Sequence, residues 1–303
     1  MAIDLARFGA PAGMPASRRY LELSMAADMN PAPVDNAALP VYAVRTHNAS
    51  AFSENRMHSD DVAAQYGFKG ALVPGVTVFS HMTQPLVAKH GIDWLARGSA
   101  DVTFAKPAYE GELLAVHTLH GDAADSYALT CVNEQGVELA RMSAQLRDTP
   151  AAVDVRAAIE PAAATGQRPM ITWDLMEVGL PFPALAWKPT QAENLEWCAD
   201  VRDELPLYRT GAAPVLHPGF VLRQANLVLR NRFTLPAWIH TDSRIAFHAA
   251  ARAGEAFEVR AIPEEKWQRK GHEFVRLYVC ILRDGRVVTE ILHTAIFRPR
   301  KAA

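Results

Sequence analysis

The chain has 303 residues, enough at about 100–200 residues per domain for two compact units, each with an apolar interior of its own. A hydrophobic share of 50%, with 21% charged residues and only 17 Gly and 20 Pro, excludes collagen-like, low-complexity and largely disordered classes. With 31 basic against 33 acidic side chains the formal charge is −2, so no long-range field favours nucleic acid or an anionic membrane, and small, specifically bound partners are expected.

Residues 1–38 mix Pro, Ala and Met without a sustained period and predict an arm over the body of the protein. They hold no unbroken apolar core behind a basic start, and no stretch of the chain approaches about 18 uninterrupted apolar residues, which predicts an unexported cytoplasmic protein. Cys131, Cys198 and Cys280 lie too far apart for a CxxC pair or a disulfide framework, in keeping with a reducing compartment.

The first predicted unit spans 39–147. Pro74-Gly75 opens an apolar helix over about Val76–Lys89. Alternating segments predict strands at Ala100–Phe104, Leu113–His120, Tyr127–Asn133 and Val137–Leu146, with turn residues in Asn133–Gly136. An Ala- and Pro-rich run over 148–172 reads as a connector. The second unit, 173–303, repeats the plan: a helix over Phe220–Asn231 behind Pro218-Gly219, then strands at Arg244–Phe247, Ala256–Ile262, Glu273–Leu282 and Arg286–Phe297. One helix lying on a strongly bent antiparallel sheet is the economical assembly for each half, because the apolar side of every strand needs cover; two such layers can share a continuous sheet.

Four features recur in the same order in both halves and point to duplication. Ser53-Glu54-Asn55-Arg56-Met57-His58 corresponds to Asp203-Glu204-Leu205-Pro206-Leu207-Tyr208, and Leu72-Val73-Pro74-Gly75 to Leu216-His217-Pro218-Gly219. Val102-Thr103-Phe104 corresponds to Ile245-Ala246-Phe247, and Gly111-Glu112 to Gly254-Glu255. The Pro-Gly to Gly-Glu intervals are 36 and 35 residues.

These strings resemble the MaoC-like acyl dehydratases and R-specific enoyl-CoA hydratases, closely over about 40–147 and more weakly over 173–300. The resemblance implies an α+β protein of two tandem hotdog folds, each an antiparallel sheet wrapped around one long central helix. It implies a hydro-lyase of fatty acid metabolism that hydrates a trans-2-enoyl-CoA or dehydrates the 3-hydroxyacyl counterpart, with coenzyme A or an acyl carrier entering as part of the substrate and no separate cofactor. The family pattern D-x-N-P-[LIV]-H falls on Ser53 to His58, so Ser53 stands where the family has its Asp and cannot carry that charge. In the second copy Asp203 and Pro206 match, whereas Leu205 replaces Asn and Tyr208 replaces His.

Hydration of an α,β-unsaturated thioester needs a base toward water, an acid toward Cα and donors for the enolate oxygen. His58, whose ordinary pKa lies near neutrality, suits the proton-transfer role. Backbone N–H groups around Gly75 and Val76 suit the oxygen, because a helix start favours developing negative charge. Asn55 either orients His58 or caps a local turn. Glu54, Asp60 and Asp61 are alternatives for the missing carboxylate. Asp203, Tyr208 and His217 form a secondary candidate set in the second half, with His217 either a pocket donor or a helix-start residue bonded to backbone. A composite of His58 with Asp203 is disfavoured, since a pseudo-twofold pair puts equivalent loops at opposite ends of the interface. Lys266, Arg269 and Lys270 around Trp267 read as a solvated hairpin tip, with coenzyme A phosphates as the alternative.

No histidine or cysteine spacing suits a metal, and no dinucleotide fingerprint or P-loop is present. The competing readings are a hotdog thioesterase, which wants a carboxylate that Val76–Lys89 and Phe220–Asn231 lack, and a non-catalytic acyl-thioester binder. Association into a homodimer is left open.

Overall fold

The computed structural model describes residues 38–164 and 166–302; the predicted arm lies outside them but for its last residue. In chain order the first half contains β1 (Leu39–Arg45), α1 (Asp60–Gln65), α2 (Gly75–His90), α3 (Ile92–Arg97), β2 (Gly98–Phe104), β3 (Leu113–His120), β4 (Ser126–Asn133) and β5 (Glu138–Leu146). The second half contains β6 (Leu185–Trp187), α4 (Gln191–Asp200), α5 (Pro218–Leu222), α6 (Gln224–Arg232), β7 (Ile239–Phe247), β8 (Phe257–Arg269), β9 (His272–Arg283) and β10 (Arg286–Arg298).

The ten strands form one sheet in the order β1-β3-β4-β5-β2-β7-β10-β9-β8-β6. Reading outward from the β2–β7 junction, both halves follow the same succession, so β1 and β6 are equivalent edge strands. The junction is antiparallel, with Ser99 opposite Ala246 and Thr103 opposite Asp242. On β2, Gly98, Ala100, Val102 and Phe104 turn inward while Asp101 and Thr103 face out, the two-residue period of a sheet with one covered face.

The cover is chiefly α2. Pro74 precedes it with a φ of −57°, already suited to a helix start, and Lys89 and His90 occupy its last turn, where cations are favoured. It stops at Gly91, whose φ of 59° is a conformation that side chains with a Cβ seldom adopt. Most of α2 is apolar and buried, Phe79, Met82 and Leu86 completely, because the sheet lies on one side and the second half's helices on the other. Each such side chain contributes about 1.5–3 kcal/mol by leaving water. The same apolar cluster runs on through Leu222, Ala225 and Leu229 into Ile245 and Val279, so the two halves share one interior.

The helix expected over Phe220–Asn231 is interrupted: α5 ends at Leu222 and α6 begins at Gln224. At the break the Gln224 side-chain amide donates to the Phe220 carbonyl at 3.3 Å. The strands fall where the alternating pattern puts them, except that β7 begins earlier, at Ile239, and β8 extends to Arg269. Among the elements that escaped the sequence pattern are β1, α3, β6 and α4, the last opened by a Thr190/Glu193 capping box. Residues between the halves run against the second half's sheet, where the Arg156 guanidinium sits 4.5 Å from the Tyr278 ring and Arg260 donates to the Ile159 carbonyl at 3.0 Å.

Close approach of α5 to α2 depends on Gly219. A Cβ there would stand 1.8 Å from Ser80 Oγ and 3.0 Å from the Val76 carbonyl oxygen. Gly219→Ala is therefore expected to destabilise the protein by about 1–3 kcal/mol through overpacking. A lower urea midpoint at unchanged slope would show this, and Ser80→Gly in the same chain should recover part of the loss.

Candidate functional site

Residues 53–58 form a loop that closes in a 3-10 turn, Arg56–His58. Asn55 controls it. Its Oδ1 accepts from the N–H of Met57 at 3.3 Å and of Trp238 at 3.1 Å, while Nδ2 donates to the Trp238 carbonyl at 3.0 Å and to His58 Nε2 at 3.1 Å. Both contacts to Oδ1 are backbone donors, so the amide can face only one way. Both roles foreseen for Asn55 thus coexist, turn cap and histidine partner, and the Trp238 contacts tie this first-half loop to the second half.

His58 Nδ1 lies 2.7 Å from the Leu72 carbonyl oxygen. A carbonyl only accepts, so Nδ1 carries the hydrogen and Nε2 presents a lone pair. Burial pulls the imidazole pKa down to about 4, against the opposing pull of the Leu72 bond, and the ring is neutral at pH 7. Leu72 is itself fixed by a hydrogen bond from its N–H to the Met57 carbonyl at 3.1 Å, and Val73 by one to Ala108 at 2.9 Å.

The next residues begin α2. Thr77 and Val78 N–H both return to the Pro74 carbonyl, at 2.9 and 3.3 Å. The N–H groups of Gly75 and Val76 meet no acceptor among the described residues, which leaves the leading donors of a 16-residue helix available to an anion or a polarised oxygen.

Asn55, His58, Gly75 and Val76 border one cavity of about 110 Å³, with Phe104, Trp238 and His240 closing its walls. Ser53 borders it too, its Oγ donating to the Asn55 carbonyl at 3.3 Å. Of the three carboxylates considered as substitutes, Glu54 reaches the cavity but is engaged by Arg168 and by Arg230 at 3.8 Å. Asp60 accepts from the Ala71 N–H at 2.7 Å and Asp61 faces Arg56 at 3.4 Å, and neither lines the cavity. Lys106, Arg223 and Arg230 supply positive charge around it. The hairpin carrying Lys266, Arg269 and Lys270 contributes nothing to the lining, and Lys266 donates to the Trp173 carbonyl at 2.8 Å.

The second-half residues gather elsewhere. Asp203 Oδ1 accepts from Leu205 N–H at 3.0 Å, and Oδ2 lies 3.2 Å from His217 Nε2. His217 Nδ1 accepts from Gly219 N–H at 3.1 Å, so Nε2 is the protonated nitrogen and donates to Asp203. The helix-start donor that stays open in the first half is thus capped by a side chain in the second, and Ser80 fills the space above it. Tyr208 packs on His217 with ring centroids 4.8 Å apart. Asp203, Tyr208 and His217 are buried together, none lines the cavity, and Asp203 does not pair with His58.

A wider groove of about 900 Å³ crosses the outer sheet face, but its charged groups answer one another: Arg244 pairs with Asp101 at 3.1 Å, and Glu290 with His248 at 2.7 Å. Among the described residues no group of three or more His, Cys, Asp or Glu side chains converges on a metal position, and no helix is long and apolar enough to cross a membrane.

Three solved structures set this architecture in context. A MaoC domain protein dehydratase from Chloroflexus aurantiacus superposes with a TM-score of 0.61 at 13% identity, over 88% of this chain and 95% of its own. A protein from Mycobacterium tuberculosis with a double hotdog fold matches with a TM-score of 0.57 at 15% identity, over 86% and 97%. The fold is a double hotdog. A MaoC-like dehydratase matches with a TM-score of 0.57 at 11% identity, over 86% and 96%. At these identities the likeness extends to the fold alone. No family model matches the sequence, and no curated protein matches it. Within the double hotdog, the residues that sequence reasoning missed at the cavity are His240, Trp238, Lys106, Arg223 and Arg230. All but Lys106 come from the second half, so no local spacing links them to His58.

Proposed function

We propose that the chain is a hydro-lyase acting on an acyl thioester, adding water to a trans-2-enoyl-CoA or removing it from the 3-hydroxyacyl counterpart. One observation carries this reading: a neutral imidazole, its acceptor nitrogen held by the Asn55 amide, and the open leading N–H groups of a long helix border the same small cavity. Water held at His58 Nε2 gives up a proton to it while its oxygen bonds to Cβ. The C=C electron pair moves to the thioester, whose oxygen takes negative charge opposite Gly75 and Val76 N–H. The imidazolium then returns the proton to Cα, so a single residue serves as base and acid and no second carboxylate is required where Ser53 stands. To reach this state Nε2 exchanges its Asn55 hydrogen bond for one from water, and the released amide N–H helps hold that water.

Lys106, Arg223 and Arg230 support coenzyme A as the thiol portion, since its phosphates are polyanionic. A place in fatty acid metabolism and in the cytoplasm goes with the same reading. The full chain, given crotonyl-CoA and longer trans-2-enoyl-CoAs, is expected to deplete the conjugated enoyl group and form 3-hydroxyacyl-CoA without releasing thiol. Thiol release without hydration would make the protein a thioesterase, and saturable binding without turnover would make it an acyl-thioester binder.

A further inference from the structure

Strand β7 carries a bulge. Asp242 lies opposite Thr294 and His240 opposite Ala295, so Thr241 is the extra residue. In a regular strand, residues 240 and 243 would face opposite sides of the sheet. The bulge turns both inward, and His240 Nε2 comes within 2.8 Å of Ser243 Oγ. Ser243 in turn pairs in register with His293 on β10, its Oγ 3.1 Å from His293 Nδ1. His240 is 8% exposed, Ser243 1% and His293 0%. The remaining nitrogen of His240, Nδ1, has no partner among the described residues. It lies 2.9 Å from the point where a Cβ on Gly75 would stand, at the wall of the cavity that holds His58. Glycine at 75 therefore lets an unpartnered, buried imidazole nitrogen stand close against the helix start.

We propose that His240 donates from Nδ1–H to the thioester oxygen seated at Gly75 and Val76, so that the second hotdog completes the site of the first, with Ser243 and His293 as positioning residues. What this donor does to a rate rests on the hydro-lyase reading; the contact itself requires only a thioester carbonyl in the cavity. A serine hydroxyl has one hydrogen, so the chain runs in one of two directions. Either His293 Nδ1–H donates to Ser243 and Ser243 donates to His240 Nε2, leaving the hydrogen of His240 on Nδ1, or the whole sequence is reversed and Nδ1 shows a lone pair. A thioester oxygen only accepts, and the enolate oxygen accepts more strongly, so both select the first direction. No proton leaves the chain: both imidazoles stay neutral, and the bonds made and broken remain those at Cα and Cβ. Preorganised neutral donors of this kind stabilise developing charge without reorganisation at the moment of reaction.

Two readouts test the donor with the full chain. The first is the carbonyl stretch of bound, carbonyl-labelled butyryl-CoA, a saturated thioester that cannot be hydrated; the second is kcat for crotonyl-CoA hydration. On binding, the stretch should move to lower frequency in the wild type. His240→Leu should give back part of that shift and lower kcat by about 100-fold with KM nearly unchanged. His240→Asn, whose amide N–H stands close to the Nδ1 position, should recover part of both, and Ser243→Ala should fall between. A wild-type carbonyl shift and wild-type kcat in His240→Leu overturn the proposal while leaving hydration by His58 intact. Conversely, a His240-dependent shift in a protein that hydrates nothing removes the hydro-lyase reading and keeps the donor. Should His240→Leu fail to fold, Ser243→Ala decides, an unchanged shift and kcat there refuting the relay. Failure of butyryl-CoA to bind the wild type overturns both readings.

Discussion

Replacing His58 by alanine is expected to lower kcat for enoyl-CoA hydration by about 10²–10⁴-fold, the range for removal of a general acid–base group. The fold should survive, because His58 is a half-buried loop residue whose side chain makes two hydrogen bonds, to Leu72 and from Asn55, each worth about 1 kcal/mol. The pH dependence separates its chemistry from a merely structural part. The base form is the neutral ring, and burial holds the pKa at about 4, so the active form prevails at every pH above that value. In the wild type kcat/KM should stay flat from pH 8 down to about 5.5, below which acid unfolding takes over, whereas an ordinary histidine would already have lost half its base form near pH 6.5. Steady-state kinetics across that range, with thermal melts of His58→Ala and His58→Gln as folding controls, check both parts. Retained activity in both variants would remove His58 from the chemistry, and a midpoint near 6.5 in the wild type would mean that burial does not lower its pKa.

How far the sequence leads depends on whether a feature is local. The loop 53–58 and the helix start at Gly75 are contiguous strings with their own turn and helix-start signals, and Asn55, His58, Gly75 and Val76 meet at one cavity as those strings imply. Strands β3, β4 and β5 alternate cleanly and lie within a residue of the pattern. β6 is three residues long, too short for any period, and β1 is set among Pro- and Ala-rich residues. The first half of β7 was hidden because its bulge breaks the alternation over Ile239–Ser243, the stretch that carries His240. Convergence of His240, Ser243 and His293 is a matter of strand register across 50 residues, on which residue spacing is silent. The same holds for the second copy. In the sequence His217 is either a pocket donor or a helix-start residue bonded to backbone, and the bond from Gly219 N–H to His217 Nδ1 decides for the second.

Acid should unfold this protein through its histidines before its carboxylates. Burial keeps four of them neutral: His58 at about 4, His81 and His293 at about 3, and His240 well below the ordinary value. All four therefore have folded pKa values beneath the roughly 6.5 of an unfolded chain. Above pH 6.5 neither state binds the protons and stability is unaffected. As pH falls below that point the unfolded chain takes up protons that the folded chain refuses, and each group removes up to about 1.4 kcal/mol per pH unit until its folded pKa is reached. Asp242 and Asp200, both raised by burial, act in the opposite sense, while His90 and His272, also lowered by burial, reinforce the four. Asp154, held at about 2 by Arg156, adds its loss only at lower pH. Against a total stability of about 5–15 kcal/mol, the combined slope should carry the protein through unfolding near pH 5. Urea midpoints at pH 7, 6 and 5 should give a slope equivalent to about three or four protons taken up on unfolding. His293→Leu should reduce that number by about one, since the leucine has nothing to protonate in either state. A flat profile between pH 7 and 5 would mean that these rings are hydrated or already charged in the folded protein, and it would remove the neutral imidazole on which hydration by His58 depends.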